Sequence, residues 1–419
     1  MQPGLRPRLI FRRSTAVPPE RQLGREAVIA LIAHGCFQLG ASMSGLFLNL
    51  YLWRLTQDLV VNGMYNIVLY LVTPAAFAAG GWIAKRKDRM FTYRLGIFAI
   101  ALFYLLVVIA QGKVAEWYIG FAVFNGVAAG FYWTGFLVLS YDVSTETNRI
   151  RFLAINMVVF NSAGLIGPAL AGSIIQRSSG LQGYILIFAV ASVMFLLAAL
   201  ISLRIPVIRS HHKAYYLHMM GLLMRKNRLW LQGLAGFFVL GAFQGMMLFL
   251  PNIMLFQAVG REDWVGYFGM MFSGLTVATG YVISRKASKE HVRRYVLLSS
   301  TGIAAGAFCL LIDTALWSVL LFMVVYSIMN PLAVNTLTSY YYRLTGRLPL
   351  KGQLRVEAVV MRELFLNTGR VLSIAALLVG APDLQSAWLP AVLTVAALLQ
   401  YALVFLLRDE REETAAADR

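Results

Sequence analysis

Apolar residues in this chain do not alternate with polar ones; they gather in long blocks separated by short, mostly basic intervals. The blocks lie near 27–53, 60–84, 91–111, 115–140, 152–175 and 181–203, and then near 229–256, 264–284, 294–312, 315–338, 358–380 and 385–407. Roughly 20 largely apolar residues suffice for a helix to cross hydrocarbon. A strand in that medium would leave its backbone groups unsatisfied, so each block predicts a helix. The pattern predicts twelve spans, divided six and six by a polar, basic interval at 204–228. In that interval Tyr215, Tyr216, Met219, Leu222 and Leu223 are expected to form the apolar face of a helix lying at the interface.

Composition agrees with a bilayer as solvent. Of the 419 residues 59% are hydrophobic and 13% charged, whereas soluble domains carry about 25% charge. The net charge of +18 could suggest nucleic acid, but its placement argues otherwise. Of the 37 Lys and Arg, all but Arg54, Lys113, Arg177, Arg261 and Arg370 fall on the N-terminal tail, on alternate loops and the adjoining ends of spans, and on the C-terminal tail. Positive residues stay on the cytoplasmic side, so both termini are expected there, in a cell membrane. Residues 1–26 are polar and the first apolar run is too long for a leader, so no cleavable signal is expected. Cys36 and Cys309 are expected to be buried thiols.

The two halves echo each other. Gly81-Trp-Ile-Ala-Lys-Arg-Lys closes the second span and Gly280-Tyr-Val-Ile-Ser-Arg-Lys the eighth; Asn161-Ser-Ala in the fifth matches Asn367-Thr-Gly in the eleventh. Repeats with a site between them are a transporter architecture. The expected organisation is a basic cytoplasmic tail (1–26), a six-helix bundle (27–203), a cytoplasmic linker (204–228), a second six-helix bundle (229–407) and a cytoplasmic tail (408–419).

These features resemble the major facilitator superfamily, whose members carry Gly, three residues, Asp, a basic residue, any residue, Gly and a basic residue between spans two and three. Gly81, Arg86 and Arg89 match that motif; Lys85 stands where the acid belongs, and Asp88 where the second Gly does. The resemblance implies a cytoplasmic gate here, with Asp88 the candidate for the missing acid. Gly164, Gly167, Pro168 and Gly172 in span five resemble the family's exporter motif, with Ala171 replacing one Gly, and small residues there allow tight helix packing. Phe47–Arg54 and Gly130–Trp133 look like a poorly characterised prokaryotic branch. The sugar-porter run after span six is absent; Arg204-Ile-Pro-Val-Ile stands there instead.

The resemblance implies an all-α membrane fold, two pseudo-repeated six-helix bundles, and a central cavity lined by spans one, four, seven and ten. The candidate cavity residues are His34, Gln38, Ser42, Asn125, Tyr132, Trp133, Gln244, Asn252, Asn330 and Asn335. Polar groups in a membrane interior are costly and default to functional candidates. Glu363, Asn367 and Arg370 share one helical stripe. Arg370 needs a partner, for which Glu363 and Asp142 are the candidates, and the same groups could couple transport to protons. His34 is a further proton candidate.

The expected function is secondary transport by alternating access, exporting a hydrophobic or amphipathic small molecule against protons; a lipid or glycolipid flippase or uncoupled facilitator is the alternative, ahead of a membrane-embedded enzyme or a transport-dead sensor. No phosphate-binding loop of an ATP-driven pump is present. His211, His212 and His218 lack a Cys or carboxylate to complete a metal site. No cofactor, nucleic-acid partner or enzymatic activity is expected, and the protein should be a monomer.

Overall fold

The computed structural model describes residues 22–86, 89–143, 148–206, 214–286, 291–349 and 353–408. Helices dominate, and the described residues contain no strand. In chain order they are α1 (Arg25–Thr56), α2 (Leu59–Arg86), α3 (Arg89–Ala110), α4 (Tyr118–Asp142), α5 (Arg149–Arg177), α6 (Gln182–Ser202), α7 (Leu217–Lys226) and α8 (Arg228–Met247). There follow α9 (Leu250–Val259), α10 (Glu262–Lys286), α11 (Val292–Ile312), α12 (Leu316–Gly346), α13 (Arg355–Gly380), α14 (Leu389–Leu399) and α15 (Ala402–Leu406). Among the described residues, ten helical segments are long and apolar enough to cross a membrane, α8–α9 and α14–α15 each counting as one. The 25-residue α4 and α10 occupy the other two expected positions without being among those ten.

The packing repeats. In the first set α1 lies against α5 and α6, α3 against α4 and α6, and α2 against α4. In the second, α8 lies against α13 and α14, α11 against α12 and α14, and α10 against α12. The sets meet where α2 packs on α13 and α5 on α10, which are equivalent pairs with the halves exchanged. Spans one and seven also end alike, with left-handed caps at Gln57 (φ 50°) and Gly260 (φ 70°).

Prolines shape the interior. The seventh apolar run is broken into α8 and α9, with Pro251 in the first turn of α9. A proline has no N–H to return to the carbonyl four residues back, and its ring crowds that carbonyl. Pro331 within α12 frees the Ser327 carbonyl in the same way, and Thr276 Oγ1 of α10 donates to it at 3.2 Å. Cys36 and Cys309 are free and half-buried rather than fully buried.

The linker helix α7 starts at Leu217, with Met220 fully buried and Leu222 57% exposed. Tyr215 and Tyr216 precede the helix and serve a different purpose.

Candidate functional site

The tightest crossing in the second set brings α8 onto α13. Gly241 and Gly245, one turn apart, face that helix: a methyl at Gly241 would collide with the Leu366 carbonyl, and one at Gly245 would lie 2.5 Å from the Arg370 carbonyl. Gly369 answers from α13 against the Phe238 carbonyl. Such small-residue spacing lets membrane helices approach backbone to backbone. It delivers Arg370 to Gln244.

Arg370 is the sixteenth residue of the 26-residue α13, near the middle of the helix. Its Nη1 donates to Asn367 Oδ1 and its Nη2 to Gln244 Oε1, both at 3.1 Å. The guanidinium lies 5.0 Å from the Tyr70 ring centroid of α2, and Tyr326 of α12 packs on Phe243, the residue before Gln244, at 5.8 Å between centroids. Its Nε is buried without a hydrogen-bond partner. Asn330 follows Tyr326 by one turn on the same face, and its side-chain oxygen is also buried and unpaired.

The expected Arg370–Glu363 pair does not form. Glu363 accepts from Arg362 Nε and Nη2 at 3.1 and 2.6 Å, and Arg362 also reaches Tyr342. Asn367 stands between, donating to the Glu363 backbone carbonyl at 2.8 Å and to its carboxylate at 3.4 Å while accepting from Arg370. The stripe is a chain with an amide as its middle link. Asp142 ends α4; its side chain lies outside the described residues.

A second polar knot sits in the first set. His34 Nδ1 is 2.7 Å from the Tyr132 hydroxyl, and Gln38 Nε2 lies 3.2 Å from His34 Nε2. Gln38 donates through that nitrogen, so neutral His34 carries its proton on Nδ1 and donates it to Tyr132. Phe136 stacks on His34 at 3.9 Å and Phe37 on Tyr132 at 3.4 Å between centroids. Gly96 of α3 and Gly135 of α4 admit the backbones of Tyr132 and Tyr93, which locks Tyr132 in place. His34 is 1% exposed, enclosed by its own bundle.

The ten cavity candidates therefore do not converge on one place. Gln244 joins Arg370, and Asn330 lies one turn from Tyr326. His34, Gln38 and Tyr132 form the closed knot, with Trp133 set edge-on to Tyr132 and Phe136. Ser42 backs onto Gly167 of α5, and Asn125 donates to Tyr65 at 2.8 Å. Asn252 is half-buried on α9, and Asn335 is exposed on α12.

At the basic end, α2 and α13 are latched by charge. Lys85 pairs with Glu357 at 2.5 Å and also donates to the carbonyls of Ala214 and Gln353. Glu357 is fully buried and accepts from the Tyr216 backbone N–H at 2.9 Å. Tyr215 donates to the Ala78 carbonyl at 3.1 Å; burial, then the Glu357 charge, push its hydroxyl pKa up, so it stays a donor. Gly81 is where α13 and Tyr215 come close, with a methyl there 3.0 Å from Val356. The polarity of the motif is thus reversed: the cation sits on α2 and the acid on α13. Arg86 points away, over Trp82 at 4.8 Å. Asp88 and the Arg89 side chain lie outside the described residues. Glu357 was missed because it falls just before the predicted span; the displaced charge at Lys85 was its signal.

The opposite end has its own tie. Arg54 of α1 pairs with Glu262 of α10 at 3.4 Å and lies over Phe256 of α9. Tyr184 of α6 donates to Glu262 at 3.3 Å. Nearby, a methyl on Gly172 would lie 2.6 Å from the Glu262 carbonyl, and Gly266 faces the Pro168 carbonyl. Gly164, one turn before Pro168, faces Ser273 more loosely: a methyl there would lie 3.9 Å from the Ser273 hydroxyl.

Comparison with known proteins bears on the same features. The profile of the Major Facilitator Superfamily matches residues 30–348. An uncharacterised Bacillus subtilis (strain 168) protein, YqgE, is 29% identical over 378 residues, 90% of this chain and 88% of its own. An uncharacterised protein in the sodM 3′ region of Geobacillus stearothermophilus is 34% identical over 169 residues, 40% of this chain and 79% of its own. Among solved structures, the nucleoside transporter NupG (TM-score 0.69, 14% identity) covers 91% of this chain and 98% of its own. A D-xylose–proton symporter (0.67, 13%) covers 91% and 97%. At such identities the likeness concerns the fold.

Proposed function

The chain belongs to the Major Facilitator Superfamily, and on that footing we propose that it is a secondary transporter exporting a hydrophobic or amphipathic small molecule against protons. The observation that carries the reading is that charge ties the two helix sets together at both ends, with a polar cluster at mid-depth between them. Residues 27–203 would rock against 229–407 about that cluster. For passage without leakage, Lys85–Glu357 must part while Arg54–Glu262 holds, and then the reverse. The basic loops support a cytoplasmic position for the Lys85 end.

Export is supported by α5, where Pro168 and Gly172 meet Gly266 and the Glu262 carbonyl of α10 and close the outer end of the interface. Proton exchange is supported by Glu363, the carboxylate in the chain leading through Asn367 to Arg370. Its protonation would release Arg362 and loosen that chain. Asp142 is the second candidate carrier.

The test is a proteoliposome assay with an imposed pH gradient, following internal pH while amphipathic compounds and lipids are added. Compound-driven proton flux that Glu363→Gln abolishes, with folding intact, is the expected result. Solute or lipid movement without proton flux would replace the antiport reading with a facilitator or flippase.

A further inference from the structure

We propose that the solute carries an anionic group, a carboxylate or a comparable oxyanion, which binds the unused edge of the Arg370 guanidinium. This deepens the transporter reading and rests on it for the claim that the ligand is carried.

The argument begins with charge. Arg362 and Glu363 neutralise each other, so the cluster on this stretch of α13 retains one positive charge, on Arg370. Among the described residues no carboxylate lies within ion-pair distance of Arg370. A cation at membrane depth ordinarily pairs with an acid or faces a ligand pathway. Among the described residues its partners are neutral groups: the Asn367 and Gln244 amide oxygens and the Tyr70 ring.

Donor accounting points the same way. A guanidinium presents five N–H donors and accepts nothing. Two of them are engaged, one on each terminal nitrogen. The Nε–H is buried and unpaired, and leaving such a donor unsatisfied is expensive. Nε together with one terminal nitrogen forms a fork that matches an oxyanion with two hydrogen bonds. The surroundings suit an apolar body attached to that head. Tyr70 lies beneath the guanidinium, and Phe243, the residue before Gln244, meets Tyr326 of α12 at 5.8 Å. Asn330, with its own unpaired oxygen one turn from Tyr326, would meet a donor on the solute.

The site also belongs to both sides of the rocking interface. Tyr70 comes from α2 of the first set; Gln244, Tyr326 and Arg370 come from α8, α12 and α13 of the second. A bound anion would bridge the sets at mid-depth, where repeat transporters place their substrates.

The test compares four probes with one ring system and different charge: 2-naphthoate, 2-naphthalenesulfonate, 2-naphthol and 2-naphthylmethylamine. Binding is read from the thermal stabilisation of the purified full-length protein, and transport separately from uptake into proteoliposomes. The two anions should stabilise the wild type and the neutral and cationic probes should not. Arg370→Gln should lose at least tenfold in anion affinity, and Arg370→Lys, which keeps the charge but not the fork, should lie between. Equal stabilisation by all four probes, none by the anions, or undiminished anion binding in Arg370→Gln overturns the proposal. Should Arg370→Gln fail to fold, the charge selectivity of the wild type still decides. Anion binding without uptake by the liposomes would keep the site and count against the transporter reading alone.

Discussion

At the scale of single residues, the Lys85–Glu357 pair is where charge matters most to stability. Both side chains are withdrawn from water, Glu357 completely, so each carries a desolvation cost that only its partner and nearby backbone groups offset. Lys85→Met would leave Glu357 buried with the Tyr216 N–H as its remaining partner. Such a break should cost about 3–5 kcal/mol. Replacing both, Lys85→Met with Glu357→Leu, should restore most of that stability while removing the latch. Chemical denaturation of the four proteins of this cycle measures it, and a double variant as unstable as the singles would show that the pair is not the source. The sequence displayed half of this arrangement. Lys85 was visibly out of place for an acid, but Glu357 lies 272 positions away, and no local pattern links residues that far apart. Arg370 repeats the lesson. Its need for a partner was legible from its depth, whereas the competition that gives Glu363 to Arg362 depends on side-chain geometry that spacing alone does not encode.

Among the elements, those with strong local signatures were the most legible. Long apolar runs gave the helices, because in hydrocarbon a helix is the one open segment that satisfies its own backbone. Small residues then decide which helices touch closely. Gly241 and Gly245 on α8, with Gly369 on α13, leave no room for a side chain, and this crossing holds Arg370 to Gln244. Gly245→Leu should therefore separate the helices, cost on the order of 1–3 kcal/mol or more through overpacking, and weaken anion binding without touching the guanidinium. Thermal unfolding and the naphthoate assay would check it together; a fully stable variant with unchanged binding would mean that the crossing does not position the site. The break between α8 and α9 was also written in the chain, at Pro251, yet the apolar run continues across it and reads as one element. Hydropathy sees the solvent a segment prefers. It is blind to a missing N–H.

At the scale of the whole molecule, the repeat is visible in packing but broken in charge. Glu357 stands at the third position of α13, and the third position of α5 is Arg151; the eighth-span echo of Lys85 is Ser284. The residue types of the Lys85–Glu357 latch are therefore not repeated at the equivalent positions on the α5–α10 side. That side is tied instead at the opposite end, through Arg54, Glu262 and Tyr184. An asymmetry of this kind makes the two gates independently removable, and it yields a directional prediction. A reporter thiol placed by Asn330→Cys, in a background with Cys36→Ala and Cys309→Ala, can be labelled with a membrane-impermeant maleimide from either side. Removing the latch by Lys85→Met should raise labelling from the side bearing the basic loops, whereas Glu262→Gln should raise it from the other. A ligand or mutation shifts such an equilibrium only by its differential effect on the two states, so each variant should lower labelling from the side it does not open. If both variants raised labelling from the same side, the two charge clusters would not be opposing gates, and rocking between them would have to be abandoned as the mechanism.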